Sequence, residues 1–154
     1  RVGKQGKRLK ANLNDPLSFL ENSSFDLIIS SLTLHYIKNW DQVMKEFNRI
    51  LNTSGNLIFS VHHPFMTYTY FERDNYFKLE LLEDEWSIYE EKVKVEFYRR
   101  PLNKIITPVV SNGFVIEQIK EPMPTKEFKK KLPETYKRLT KKPQFLFVRG
   151  KKES

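Results

Sequence analysis

The sequence predicts an α/β protein with a mostly parallel sheet, and three consecutive segments carry that prediction. Residues 27–29 (Leu-Ile-Ile) form a continuous apolar run, which is typical of a strand covered on both faces. A helical pattern follows over residues 40–51, and residues 57–61 form a second run dominated by apolar side chains. Together they have the length of one right-handed crossover unit. We therefore expect two parallel strands joined by a helix.

The helix of this unit is predicted from a single stripe of apolar side chains. Its members recur three or four residues apart, as one face of a helix requires, and they are Trp40, Val43, Met44, Phe47, Ile50 and Leu51. Asn39 and Gln42 suit a capping pair at the start of the helix. Residues 52–55 (Asn-Thr-Ser-Gly) supply a stop before the second strand.

Elements on either side extend the same fold. Before the unit, Leu9, Ala11 and Leu13 alternate with polar residues, which predicts a short strand. After it, residues 65–89 are rich in aromatic side chains without a clear period, and we interpret them as a cover over the strand ends. Residues 93–97 alternate as a half-exposed strand and form half of a hairpin begun near Trp86.

The last third of the chain adds one helix and two strands. Pro101 fits a first helical position, and an apolar stripe from residue 102 to residue 110 is closed by Gly113. Residues 114–119 and 145–148 are predicted strands, and a basic, Pro-containing connection joins them. The predicted order is therefore typical of one layered α/β domain.

Composition excludes several classes of protein. A chain of 154 residues can bury one core, so we expect a single domain over residues 1–154. It contains no cysteine, which excludes disulfides, thiol nucleophiles and zinc–thiolate sites and agrees with a reducing cytoplasm. No apolar run approaches the ~20 residues of a membrane span. We expect a cytoplasmic protein without a membrane partner.

The ordered elements and their strand-end residues resemble the class I S-adenosylmethionine-dependent methyltransferases. The resemblance is carried by residues 11–13 (Ala-Asn-Leu), 25–36, 49–55 and 59–65 (Phe-Ser-Val-His-His-Pro-Phe), and by residues 98–102, 113–114, 121–122 and 143–146. It implies a Rossmann-like, mostly parallel sheet with helices on both faces in three layers, and an inserted β-hairpin or aromatic cover. It also implies that the cofactor is S-adenosylmethionine.

The sequence departs from the family at its start. The family's first strand carries a Gly-rich loop for the methionine part of the cofactor, and its second strand ends in an acidic residue for the ribose. Neither strand has a counterpart here, and Gly3 and Gly6 follow no predicted strand. The resemblance therefore implies a partial methyltransferase domain, truncated at its N-terminus and inactive by itself. Micromolar binding of S-adenosylmethionine by this chain alone would refute that expectation.

The missing strands leave one flank of the strand at residues 27–29 without a partner in the predicted sheet. An unpaired apolar edge favours association with other chains. We expect this chain by itself to be poorly soluble or to form an oligomer through that edge, and a stable, monodisperse monomer would contradict this.

Five residues are candidates to bind the cofactor, two by resemblance to the family and three by their position at a strand end. Asn12 and Leu13 correspond to the positions that hold the adenine, through a side-chain acceptor and a backbone amide. Asn12 is alternatively a turn residue ahead of residues 14–16. Ser30, Ser31 and Leu32 end the first strand of the unit, where α/β sheets bind ligands, and they are candidates for the methionine part. The alternative for these three residues is capping of the strand end.

The three histidines of the chain, His35, His62 and His63, all follow the carboxyl ends of predicted neighbouring strands. His35 is a candidate to lie over the cofactor, and His62 or His63 to take a proton from the acceptor, since imidazole has an ordinary pKa of ~6.5. The alternative is a structural role. A zinc site is disfavoured because no carboxylate is placed for it by spacing, and we expect no metal.

Other side chains are candidates for the acceptor pocket. The aromatic residues from Tyr68 to Trp86 suit a pocket wall and a cation–π contact with a sulfonium, or else ordinary core packing. Arg99 and Arg100 are candidates to contact an anionic acceptor or the cofactor carboxylate, or else to lie in solvent at a helix start.

The sequence thus predicts methyl transfer to a small-molecule acceptor. The alternative is a nucleic-acid methyltransferase or a basic nucleic-acid-binding domain, because the formal net charge is +8 and basic residues concentrate over residues 126–142. Against it, we find no recognition helix or RNA-binding signature.

Overall fold

A computed structural model describes residues 6, 8–88 and 91–153. The first half contains β1 (Phe25–Ser31), a 3-10 helix (Leu34–Tyr36), α1 (Trp40–Ile50), β2 (Leu51–His62) and α2 (Pro64–Tyr70). The second half contains β3 (Glu80–Ile88), β4 (Glu91–Arg99), α3 (Asn103–Ser111), β5 (Phe114–Lys120), α4 (Lys126–Lys131), α5 (Pro133–Leu139) and β6 (Phe145–Lys152).

Four strands form the main sheet in the order β1-β2-β6-β5. β1 and β2 are parallel and are connected through α1, so the predicted crossover unit is confirmed. β6 is antiparallel to both of its neighbours, and β1, β2 and β5 therefore run in one direction. The Rossmann-like α/β fold class predicted from the sequence is confirmed.

One face of the sheet carries the core, and α1 and α3 cover it. The predicted stripe of α1 is buried from Trp40 to Ile50, and it packs in one cluster with Leu57, Phe59 and Val61 of β2 and with Val109 of α3. The Asn39 side chain makes no capping hydrogen bond, and Gln42 donates instead to the Asn14 carbonyl oxygen at 2.9 Å. α1 ends directly at β2, earlier than the predicted stop.

The prediction that β1 is covered on both faces is wrong for the described residues. Ile28 pairs with Leu57 and packs against the core, so the side chains of Leu27 and Ile29 lie on the opposite face of the sheet. They are 46% and 67% exposed there. A continuous apolar run cannot show which side of a strand is covered. β1 also lies at one end of the strand order.

The predicted strand around Leu9 is not formed. Residues 8–12 have no regular structure, and Leu9 is 51% exposed. Alternation predicts a strand only where a neighbouring strand can accept its hydrogen bonds, and no described strand pairs with these residues.

The predicted aromatic cover consists of α2 and the β3–β4 hairpin. The hairpin begins at Glu80, six residues before the predicted position, and pairs Glu80 with Arg99. α2 was missed because its aromatic residues show no helical stripe. Its start is nevertheless marked in the sequence by Pro64 at the first turn.

α3 begins slightly later and ends where the sequence predicts. Its N-cap is Leu102 rather than a residue before Pro101, and Ile105 and Val109 form its buried side. Gly113 has a φ of 79°, which lets the chain turn from α3 into β5.

Candidate functional site

An open cavity of about 640 Å³ lies at the carboxyl end of β2, and His62, the last residue of that strand, lines it. Its walls come from α2, the hairpin, α5 and the segment that leads into β6. Most of its apolar lining is aromatic and consists of Phe65, Tyr70, Phe71, Trp86, Phe97 and Phe145. Polar groups come from His62, Asp84, Arg138, Lys142 and Gln144. The volume and the lining are typical of a small-molecule site.

Leu32 connects this cavity to the carboxyl end of β1, because it directly follows that strand and lines the cavity. Its φ of 49° lies in the left-handed region, which residues other than glycine rarely adopt. The backbone N–H of Leu32 donates to the carbonyl oxygen and to Oγ of Ser60, at 3.0 and 3.2 Å, and this holds the turn against β2. Such strain is concentrated at ligand sites in folded proteins.

His62 and His35 form a stacked pair behind the cavity. Their ring centroids are 4.3 Å apart with an interplanar angle of 15°, and Phe97 packs edge-on against both rings. His35 is buried, and neither of its ring nitrogens has a hydrogen-bond partner. The Nδ1 atom of His62 is likewise buried without a partner. Of the two rings, only His62 lines the large cavity.

Burial sets the charge of both imidazoles. It lowers the pKa of His35 to about 3, with smaller contributions from His62 and Arg100. It also lowers the pKa of His62 below the ordinary value, although the Asp84 carboxylate opposes that shift. Both rings are therefore neutral near pH 7, and the His62 ring can accept a proton there.

Asp84 lies beside Trp86 on the hairpin wall. Its Oδ2 accepts a hydrogen bond from the Trp86 indole N–H at 2.9 Å, and its Oδ1 accepts from the Glu85 backbone at 2.9 Å. These contacts fix the carboxylate and the indole at the cavity.

His63 has a different environment from His62. It is the N-cap of α2, where its Nδ1 accepts from the Phe65 N–H at 3.2 Å, and its Nε2 lies 2.7 Å from Oε1 of Glu121. His63 does not line the large cavity. The structure therefore separates two neighbouring histidines into one that lines the cavity and one that holds a helix start.

Arg99 and Arg100 are buried, so the interpretation that they lie in solvent at a helix start is wrong, and contact with an anionic ligand stays a prediction. The Arg99 guanidinium bonds Glu80 and the carbonyl oxygens of Asn75, Tyr76 and Lys78. Arg100 donates to the Ile37 and Lys38 carbonyl oxygens and lies 4.6 Å from the centre of the Trp40 ring. Arg99 thus connects the end of β4 to the segment before β3. Arg100 connects the segment before α3 to the residues just before α1.

The aromatic residues predicted for the pocket divide between the two interpretations. Tyr70, Phe71 and Trp86 line the cavity. Tyr68 and Tyr76 instead pack against each other at 5.6 Å, and the Tyr76 hydroxyl accepts from the Leu102 N–H.

The residues predicted for the cofactor form two groups. Ser30 is buried and Ser31 is exposed at the carboxyl end of β1, next to Leu32. Asn12 is exposed, and its Oδ1 accepts from the backbone and the side chain of Asn14 at 3.1 and 3.0 Å, as in a turn. Among the described residues, no acceptor is paired with the Leu13 N–H.

Arg138 and Lys142 line the cavity and were not singled out from the sequence. They belong to a basic run that gave no sign of which members face a cavity. Helical spacing does not identify the pair, because α5 ends at Leu139, before Lys142.

Two further features of the described part of the chain bear on its class. No helix there combines the length and the apolar character needed to cross a membrane. Those same residues include no group of three or more His, Asp or Glu side chains placed to hold a metal ion.

Comparisons with known proteins agree with this geometry. Residues 2–59 match the family model described as a methyltransferase domain. An uncharacterized protein of Haemophilus influenzae is 30% identical over 150 residues, which cover 90% of this chain and 58% of that protein. A solved structure from Listeria monocytogenes, assigned as an S-adenosylmethionine-dependent methyltransferase, is 29% identical with a TM-score of 0.75, over 88% of this chain and 64% of its own.

A second solved structure supports the fold alone. It is an S-adenosylmethionine-dependent methyltransferase from Mesorhizobium loti, with 21% identity and a TM-score of 0.68 over 92% of this chain and 68% of its own. The chain spans less than two thirds of the Haemophilus and Listeria proteins.

Proposed function

We propose that the chain is part of a class I S-adenosylmethionine-dependent methyltransferase, as the match of residues 2–59 to a methyltransferase domain and the similarity to the Listeria structure support. Its protein would transfer a methyl group to a small molecule bound in the cavity beside His62. One observation carries the proposal. The cavity lies at the carboxyl end of β2 and includes Leu32, which directly follows β1. Ligands of open parallel sheets bind at these strand ends, so a donor beside β1 and an acceptor in the cavity would be neighbours.

We assign the donor to Asn12, Leu13, Ser30, Ser31 and Leu32. Their chemistry fits S-adenosylmethionine, which supplies an activated methyl group on a sulfonium. The Leu13 N–H is a donor for a ring nitrogen, and the Asn12 amide oxygen would accept from an exocyclic amine in place of the Asn14 side chain. The exposed hydroxyl of Ser31 and the strand-end carbonyl groups suit the polar end of an amino acid.

We assign His62 as the general base for the acceptor. Its ring is neutral near pH 7 because burial lowers its pKa, and a neutral imidazole can take a proton from a hydroxyl or an amine. Once protonated, the ring is stabilised by the Asp84 carboxylate, which raises its pKa. His35, stacked behind it, keeps the His62 ring in place. His63 is a positioning residue for α2 in this proposal.

The aromatic walls have two tasks. They hold the acceptor in a fixed orientation and exclude water, and positioning is a large part of catalysis for an in-line displacement. Aromatic faces also attract a sulfonium through cation–π contacts worth ~0.5–2 kcal/mol. The cavity contains enough rings for both tasks.

The experiment uses the protein as its gene encodes it, with S-adenosylmethionine carrying a labelled methyl group. The small-molecule fraction of a cell extract and total RNA serve as separate acceptors. We expect label in the small-molecule fraction only. Label in RNA would favour the nucleic-acid alternative, and label in neither fraction would contradict the proposal.

Two histidine variants then test the site. We expect His62→Gln to lower kcat about 10²- to 10⁴-fold, the usual contribution of a general base. The matched control is His63→Asn, which removes the adjacent imidazole but keeps a side-chain acceptor for the start of α2, and it should retain most of kcat. Equal losses in both variants would contradict the assignment of the base to His62.

A further inference from the structure

Two cations lie at the cavity and are not used by the proposed transfer. Arg138 lies in the last turn of α5, and Lys142 follows that helix. The Lys142 N–H donates to the Arg138 carbonyl oxygen at 3.0 Å, and both side chains line the cavity. Both residues are exposed, so their charged groups lie at the rim of the cavity.

These two charges are not neutralised by neighbouring carboxylates of the described residues. Neither Arg138 nor Lys142 takes part in an ion pair there. Arg138 instead donates through Nη1 to Oε1 of Gln144 at 2.9 Å, which holds the guanidinium at the rim and leaves its other N–H groups available.

Asp84 is the acidic residue of the cavity lining, and it is already engaged. It accepts two hydrogen bonds on its own strand, and its charge acts on His62. The cavity therefore has a net positive rim at Arg138 and Lys142, and its one carboxylate is associated with the imidazole.

The space between these groups has flat, apolar walls. Phe71, Trp86, Phe97 and Phe145 supply aromatic surface, and Phe97 is almost fully buried at 1% exposure. Aromatic rings gain additional stability from stacked or edge-on contacts with other rings. The walls therefore suit a planar aromatic body.

From this arrangement we propose that the acceptor is a planar aromatic acid, with its anionic group at Arg138 and Lys142 and its methylated hydroxyl or amine at His62. This inference rests on the proposed function, because it names the acceptor class of the same cavity. The other basic residues of α4 and α5 are not part of the cavity lining, which distinguishes these two from an ordinary solvated charge run.

The test uses a pair of probes that differ in charge and hardly in shape. The first is 6-hydroxy-2-naphthoic acid, which carries a hydroxyl at one end and a carboxylate at the other. The second is its neutral amide. Binding is measured by calorimetry on the protein as its gene encodes it, with S-adenosylhomocysteine present. We expect the acid to bind about 5- to 30-fold more tightly, since each exposed ion pair contributes up to ~1 kcal/mol.

A double variant locates the effect. Arg138→Gln with Lys142→Gln should remove the preference for the acid and leave the affinity of the amide unchanged, which also shows that the cavity is intact. Lys130→Gln is the matched control, because it removes an exposed cation from α4 outside the cavity. That variant should keep the full preference.

Binding of S-adenosylhomocysteine to the same sample separates the two proposals. Equal affinities for acid and amide, or binding of neither, would overturn the acceptor class while the donor site stands. Loss of S-adenosylhomocysteine binding itself would overturn the proposed function, and the acceptor class with it.

Discussion

His35 and His62 stack against each other, but only the His62 ring can contact a ligand in the cavity. His62 lines the cavity and is available to a ligand, whereas His35 is 3% exposed and has no hydrogen-bond partner on either nitrogen. A buried imidazole without a partner favours the neutral form because charge is poorly solvated there. His35 therefore links the stability of the fold to pH.

This link has a defined direction. The pKa of His35 is lowered to about 3 in the folded protein, so the unfolded chain binds more protons below its own pKa of ~6.5. The stabilising effect is complete above pH ~6.5 and is lost as the pH falls towards the folded value. We expect the free energy of unfolding to fall by about 2 kcal/mol from pH 7 to pH 5 on account of this residue.

Urea denaturation at both pH values measures this effect. In His35→Phe, the fall in the free energy of unfolding between pH 7 and pH 5 should be about 2 kcal/mol smaller than in the wild type. The control is Tyr36→Phe, which changes an exposed side chain in the same 3-10 helix. Its free energy of unfolding should depend on pH as in the wild type. An unchanged slope in His35→Phe would show that another group carries the pH dependence.

Patterns in the sequence place the three histidines at one end of the sheet but do not separate their roles. Strand ends are recognisable from patterns, whereas the choice between His62 and His63 depends on which side of the strand end each ring faces. The same limit applies to Arg138 and Lys142, because a basic run does not indicate which of its members face a cavity.

At the scale of elements, the hairpin of β3 and β4 depends on a buried arginine. Arg99 ends β4, is 1% exposed, and bonds Glu80 at the start of β3 as well as three carbonyl oxygens before it. Since the hairpin forms one wall of the cavity, the contacts of Arg99 hold that wall in position as well as the hairpin itself.

Without Arg99, Glu80 keeps its pairs with Arg73 and Lys78, but the carbonyl oxygens of residues 75, 76 and 78 lose their charged donor. An unsatisfied buried acceptor costs about 1–3 kcal/mol, so we expect Arg99→Gln to lower the free energy of unfolding by roughly 1–3 kcal/mol, measured by urea denaturation. Lys92→Gln breaks the exposed pair of Lys92 with Glu85 on the same hairpin and should have no resolvable effect. Similar losses in both variants would contradict a special role for Arg99.

The elements that sequence patterns predicted correctly are those with a strong local signal. α1 has a complete apolar stripe, and Gly113 marks the end of α3. The strand predicted around Leu9 is not formed, and one face of β1 is exposed rather than covered. Both predictions are wrong because strand pairing and face coverage depend on distant parts of a chain. α2 was missed because aromatic residues on all sides of a short helix leave no period to detect.

For the molecule as a whole, the main consequence is an exposed apolar sheet face. Leu27 and Ile29 of β1 and Phe147 of β6 point away from the core and are 46%, 67% and 39% exposed. β1 also has a free edge in the described sheet. Exposed apolar side chains beside a free strand edge promote association.

We expect this 154-residue chain to self-associate, as sedimentation velocity can measure. Ile29→Lys should raise the dissociation constant roughly tenfold or more, because burying an isoleucine contributes about 1.5–3 kcal/mol. Val110→Lys is the matched control, since Val110 is 52% exposed on α3, away from this face. A monomer at all concentrations, or an equal effect of both variants, would contradict the prediction.

The central claim is that a methyl donor binds at the carboxyl ends of β1 and β2, beside the acceptor cavity. The most direct measurement is an NMR titration of the isotope-labelled protein, as its gene encodes it, with S-adenosylhomocysteine. We expect saturable shifts at the amides of Leu13, Ser31, Leu32 and His62. Shifts confined to the basic helices α4 and α5, or no shifts at all, would contradict it.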